Sequence, residues 1–241
     1  MHIADGRKAL IIKTTRPHLV TERIEKSKVI AKNGDMYDVA VYWGLEEAQK
    51  LNRLGVQDIP SPITRDYDWS GKLTPFQHQE ITAGFFTLNK KAFCFNEQGT
   101  GKTASVIWAA DYLLNLGVIK RVLVLCPLSI MKSAWQEDLF KFAMHRSCSV
   151  AHGDAKTRKK IIEAGSDFVI LNFDGLAVVK DVIMDGGFDL IVVDEANAYK
   201  NAQTNRWKIL RDVVAKVDWL WMLTGTPASQ SPVDAFGLAK L

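Results

Sequence analysis

The chain has 241 residues, 47% of them hydrophobic, enough to bury a large core as one α/β domain or as one domain with a small appendage. Its formal net charge of +4 permits contact with a phosphate backbone without requiring it. Cys94, Cys126 and Cys148 are odd in number and share no CxxC spacing, which argues against a disulfide framework or a zinc site and for reduced core cysteines.

At the amino terminus "MHIADGRKAL" lacks the apolar segment of a signal peptide, and no later run reaches the roughly 18 residues of a membrane span. A cytoplasmic location is expected, that of a bacterial host if the source is viral. Three candidate strands follow, "ALIIK", "SKVIAK" and "MYDVAVYW", with "NGD" as a hairpin turn between the last two. "WGLEEAQKLNRLGV" then reads as a helix closed by Gly55, and "IPSPITRDYDWSG" as a Pro-rich linker. Residues 1–65 are therefore expected to form a small α+β module with its linker, ahead of a main domain over 66–241.

From about residue 91 short apolar runs alternate with longer amphipathic ones. "AFCF", "VLVLC", "FVIL", "LIVV" and "WLWML" are too continuous for strands with one wet face. They predict a mainly parallel sheet with helices on both faces, the doubly wound α/β class.

"NEQGTGKT", residues 96–103, stands between the first of these runs and a helical stretch, the strand–loop–helix context of a phosphate-binding loop. Glycines there let successive N–H groups turn inward on phosphates at the positive end of a helix. In that chemistry Lys102 meets the β and γ phosphates and the Thr103 hydroxyl meets Mg2+. Asn96 occupies the first glycine of the generic pattern. Asp194 and Glu195 close the run "LIVV", at the strand end where open α/β sheets bind ligands. Asp194 suits Mg2+ opposite Thr103, and Glu195 suits orientation or deprotonation of an attacking water. Adjacent acids by themselves fit an exposed helix start better. The upstream "GTGKT" tips the balance.

Taken together, the motifs resemble superfamily-two helicases, and within them the Swi/Snf-like branch of DNA-dependent ATPases, over roughly residues 73–238. "LTPFQHQE" resembles the Q motif, which implies that Gln77 reads an adenine edge. "NEQGTGKT" is similar to the branch's D-E-M-G-L-G-K-T, so the resemblance extends the nucleotide contacts to Glu97, Gln98, Gly99, Thr100 and Gly101 beside Lys102 and Thr103. "VLVLCPLSIMKSAWQEDLFKF" resembles motif Ia, whose Pro-Leu-Ser turn lies along nucleic acid. It implies such a place for Pro127, Leu128, Ser129 and Lys132.

"AHGDAKTRKK" resembles a family strand ending in His-Gly before a basic helix start, which puts His152 and Gly153 near the nucleic acid. Lys156, Arg158, Lys159 and Lys160 are then candidates for phosphate neutralisation or for a solvated helix face. In "FVILNFDGL" Asn172 and Phe173 stand where the family has Thr-Thr-Tyr. "DEANAYKN" matches D-E-A-H-x-x-K-N except at Asn197, and "WMLTGTPASQSPVDAFGL" resembles motif III. Asn197, Thr224 and Thr226 are implied to couple the nucleotide site to the nucleic-acid groove.

The resemblance implies a RecA-like lobe using ATP and Mg2+ on DNA, double-stranded in this branch, with the compact module before the Q motif similar to short phage-type members. An RNA helicase lobe and a nucleotide-regulated scaffold remain alternatives, and a P-loop kinase leaves "LTPFQ" and "LTGTP" unexplained. Such motors carry a second lobe with arginine fingers. The sequence to Leu241 reads as the first lobe of a longer chain, for which poor ATP turnover in isolation is expected.

Overall fold

A computed structural model describes residues 1–4, 6, 8–69, 73–226 and 232–241. They divide into two compact units, 1–67 with 87–89, and 68–86 with 90–241.

The first unit holds an antiparallel sheet of strands β1 (His2–Ile3), β2 (Ala9–Thr14), β3 (Ser27–Asn33) and β4 (Met36–Tyr42), in the order β1-β2-β4-β3. Asn33 pairs with Met36 across the expected tight turn, where Gly34 takes a φ of 62°. Leu10, Ile12, Val39 and Val41 share one face of the sheet and are buried there. Helix Leu45–Arg53 covers it with Ala48 and Leu51, and the chain leaves that helix at Gly55, whose φ of 82° few other residues tolerate. The Pro-rich stretch differs from the expected plain linker. Pro62 starts a single helical turn, Ile63–Asp66, whose Ile63 is fully buried.

The second unit is built on a six-stranded sheet. Its strands are β5 (Lys91–Cys94), β6 (Val122–Cys126), β7 (Cys148–Val150), β8 (Phe168–Asn172), β9 (Leu190–Asp194) and β10 (Trp219–Leu223). They lie in the order β5-β10-β9-β6-β8-β7, and every pairing is parallel. All five residues of β6, β9 and β10 are buried, as strands covered on both faces by helices require. Helix Lys102–Asn115, directly after the glycine loop, is buried from Ala104 through Leu113.

All three cysteines are free thiols. Among the described residues no helix is long and apolar enough to cross a membrane.

Candidate nucleotide site

The carboxyl ends of all six parallel strands meet one edge of the sheet, where backbone loops are released from pairing. At that edge a cleft of about 600 Å3 is lined by the loop after β5, by the acids that close β9 and by Ile130, Ala134 and Asp138 from the segment after β6.

The loop after β5 supplies its floor. Gly99 and Gly101 have φ values of 78° and 79°, in the left-handed region that glycine enters without cost. Asn96 is not among the residues with positive φ, so a glycine is not needed there. Its amide donates instead to Thr82 Oγ1, 3.1 Å away, tying the loop to helix Gln77–Leu88. Lys102 Nζ donates to the carbonyls of Asn96 and Glu97 at 2.8 and 2.9 Å, and Thr100 Oγ1 to Glu97 O at 2.8 Å. Gln98, Gly99, Gly101, Lys102 and Thr103 line the cleft; Glu97 and Thr100 act inside the loop as hydrogen-bond partners.

Asp194 and Glu195 line the same cleft. Asp194 is only 9% exposed, with Oδ2 accepting from Trp135 Nε1 at 2.9 Å and Oδ1 from its neighbour's backbone N–H, Glu195 N, at 3.0 Å. Burial raises its pKa above the ordinary carboxylate value, opposed by the Trp135 and Glu195 hydrogen bonds and by the Lys102 charge. Glu195 has φ 53° and ψ 54°, a left-handed conformation costly for a side-chain-bearing residue. Strain of that kind concentrates at functional sites.

Motif III reaches the loop from β10. Thr224, 1% exposed, donates its N–H to Cys94 O at 3.1 Å, and its Oγ1 accepts from Thr226 N at 3.1 Å. A Cβ on Gly225 would sit 3.7 Å from Gln98 N, so this turn packs directly on the glycine loop. Pro227 to Ser231 of that motif lie outside the described residues. Asn197 stands half-buried in the 3-10 turn Ala196–Tyr199 that follows the acids.

Gln77, expected at the adenine edge, is the exposed first residue of its helix and does not line the cleft. Phe76 and Gln79 do. Gln79 Oε1 accepts from Phe76 N at 3.0 Å while its amide donates to Thr100 O at 3.2 Å, so it bridges the Q-motif turn and the glycine loop. The signal was available as a second glutamine two residues on, but sequence alone does not say which one the helix start turns inward.

The half of the edge formed by β6, β8 and β7 carries the residues implied to meet nucleic acid. Pro127, Leu128 and Ser129 follow β6, with Leu128 and Ser129 exposed, and Lys132 is exposed one turn later. His152 and Gly153 are exposed directly after β7, beside the exposed Lys156, Lys159 and Lys160. Arg158 is engaged within the protein: Nε donates to Gly153 O at 2.8 Å, and Nη1 to Ala151 O at 3.0 Å and Asn172 Oδ1 at 2.8 Å. Its fork joins the turn after β7 to the end of β8, so neither Arg158 nor Asn172 is presented as an independent contact.

The family model for the SNF2-related domain matches residues 40–241. The chain belongs to the SNF2-related domain family. This SNF2-related domain is similar to the uncharacterized ATP-dependent helicase YqhH of Bacillus subtilis, 27% identical over 174 residues that cover 70% of the chain and 29% of that protein. It is also similar to the putative protein p41 of Acyrthosiphon pisum secondary endosymbiont phage 1, 28% identical, covering 69% and 38%. The Sulfolobus solfataricus SWI2/SNF2 ATPase core in complex with dsDNA matches at a TM-score of 0.62 and 28% identity, over 71% of this chain and 36% of that one. The SNF2-related domain thus spans well under half the length of these relatives. Its parallel sheet has the RecA-like fold and matches that lobe of the similar ATPase core.

Proposed function

We propose that residues 66–241 are the ATP-binding lobe of a DNA-dependent translocase, and that residues 1–65 are a separate module ahead of it. The observation that carries this reading is that a glycine loop with Lys102 and Thr103 and the acids Asp194 and Glu195 line one cleft. The similar Sulfolobus ATPase core is in complex with dsDNA, which favours double-stranded DNA over RNA as the track.

The donor set fits Mg2+·ATP. A hydroxyl at Thr103 and a carboxylate at Asp194 are hard oxygen donors, and Mg2+ carried by phosphates needs only one or two protein carboxylates. Among the described residues no cluster of three or more His, Cys, Asp or Glu offers a separate metal site. The ion supplies charge neutralisation at the phosphates when bound.

This chain's own residues do the rest. The backbone N–H groups around Gly99 and Gly101 cradle phosphate, and Lys102 exchanges its loop carbonyls for phosphate oxygens. Thr103 and Asp194 would hold the cation, and Glu195 is placed in the same cleft to orient a water and accept its proton. Phe76 and Gln79, rather than Gln77, border the space for the base. Asn197, Thr224 and Thr226 link this chemistry to the strand held at Pro127–Ser129, Lys132 and His152–Gly153.

Full turnover requires arginine fingers from a second lobe, whose absence in related phosphoryl-transfer systems costs about 10³- to 10⁵-fold in rate. Phosphate release by the 241-residue chain, measured beside Mg2+·ADP binding, tests the assignment. Binding with turnover near background is expected, with or without duplex DNA. Robust DNA-stimulated turnover by these residues alone would overturn the single-lobe reading.

A further inference from the structure

The two halves of the sheet edge meet where β9 lies beside β6. The segment after β6 crosses that seam, with Ile130 and Ala134 lining the cleft and Trp135 bonded to the acid. Trp135 lies beyond β6, on the segment that continues from the Pro-Leu-Ser turn, and its indole N–H reaches Asp194 at the end of β9.

We propose that Trp135 is a positioning residue through which nucleic acid on the Pro127–Ile130 turn acts on the cation-holding carboxylate of Asp194. The inference rests on the functional reading above and goes beyond it by naming the mechanical link.

Three observations support it. Trp135 is fully buried, so its N–H has no water to turn to and Asp194 Oδ2 is its partner at 2.9 Å. Asp194 is held at both oxygens, by Trp135 and by the Glu195 N–H, leaving one orientation in which its remaining lone pairs meet a cation. Finally, Trp135 sits in a π-helical turn, Met131–Gln136, that starts where the 3-10 turn Leu128–Ile130 ends and passes into regular helix at Glu137. Wide turns of this kind are strained relative to α-helix and occur frequently at functional sites. A strand pressing on exposed Leu128 and Ser129 therefore pushes on an element with an alternative winding, and rewinding it moves the indole relative to Asp194. The exposed turn, the wide turn and the acid are consecutive links.

The carboxylate is thus positioned differently with and without DNA, and Mg2+·ADP affinity depends on DNA. By linkage, DNA affinity changes by the same factor when Mg2+·ADP is bound.

The test uses the 241-residue chain. Mg2+·ADP affinity is titrated with and without saturating duplex DNA, in the wild type and in Trp135→Phe, which keeps the ring and removes the donor. The wild type is expected to show a ratio of about tenfold, the scale of one hydrogen bond to a charged group. In Trp135→Phe the ratio should fall to near one while DNA binding without nucleotide is unchanged. Benzothienylalanine at position 135 replaces the indole N–H by sulfur at nearly constant shape and separates loss of the donor from any packing defect. It should behave as Trp135→Phe does. An unchanged ratio in either variant overturns the inference, as does a wild-type ratio of one when both ligands bind. A wild type that binds no Mg2+·ADP overturns the functional reading itself, and the inference falls with it.

Discussion

Arg158 offers a clean separation of two roles that a basic residue beside a nucleic-acid surface can play. It makes three hydrogen bonds, to Gly153 O, Ala151 O and Asn172 Oδ1, all between 2.8 and 3.0 Å. A typical bond of this sort contributes about 0.5–1.5 kcal/mol net, so Arg158→Ala should cost roughly 2–3 kcal/mol after allowance for partial exposure. With a urea slope of about 2 kcal/mol per molar, the unfolding midpoint of the second unit should fall by about 1 M or more. Arg158→Lys recovers at most part of this, because an ammonium lacks the planar fork that serves three acceptors.

The second arm of the assay is the salt dependence of duplex DNA binding. Each phosphate neutralised contributes about −0.9 to the slope of log K against log salt. Arg158→Ala should leave that slope unchanged, whereas Lys156→Ala, on the exposed face of the same helix, should flatten it by nearly one phosphate's worth. An unaltered urea midpoint together with a flattened slope in Arg158→Ala would refute the internal-latch account and make Arg158 a phosphate ligand.

Other consequences follow from the site. Because Glu195 sits at φ 53°, Glu195→Gly should stabilise the fold by about 1 kcal/mol through relief of left-handed strain, while Glu195→Gln brings no such gain; thermal unfolding distinguishes them. Gly237 packs with no room for a Cβ against Lys200 O, and its own carbonyl accepts from Trp207 Nε1 at 2.8 Å. Gly237→Ala should therefore destabilise by about 1–3 kcal/mol in urea unfolding, since the obstruction is backbone rather than a yielding side chain.

For Asp194 the raised pKa means that the folded chain holds this proton more tightly than the unfolded chain. Stability contributed by the group is then present below the ordinary carboxylate value, about 4, and is lost as pH rises through the higher folded value, with no further change above it. Asp194→Asn removes this dependence, and comparison of the two stability–pH curves reads it directly. Acidification should also weaken Mg2+-dependent nucleotide binding at a pH above that expected of an exposed aspartate.

Much of this was legible in sequence because burial on both faces writes itself as uninterrupted apolar runs. "VLVLC", "LIVV" and "WLWML" appear as strands to within a residue. The edge strand Cys148–Val150 left no such run, being three residues long and only half-buried, and only the likeness of "AHG" to a family strand pointed to it. Gly99 and Gly101 were readable because left-handed backbone selects glycine. Glu195 was not, because its strained φ violates the local preference that sequence reading relies on. Trp135 lies within the motif Ia segment, but the partner of a buried indole is set by tertiary packing, across 59 positions of sequence. The inward turn of Gln79 and Arg158 was not legible for the same reason: both residue types are ordinarily solvated, and here each is turned to a backbone carbonyl.

The central claim, that the glycine loop and the acidic pair together bind Mg2+·ATP, is tested most directly by calorimetric titration of ATP into the wild type, Lys102→Ala and Asp194→Asn, each with Mg2+ and with EDTA. Wild-type binding should be strengthened by Mg2+, Lys102→Ala should lose binding in both conditions, and Asp194→Asn should lose only the Mg2+ enhancement. Equal affinities in all three proteins would contradict the account.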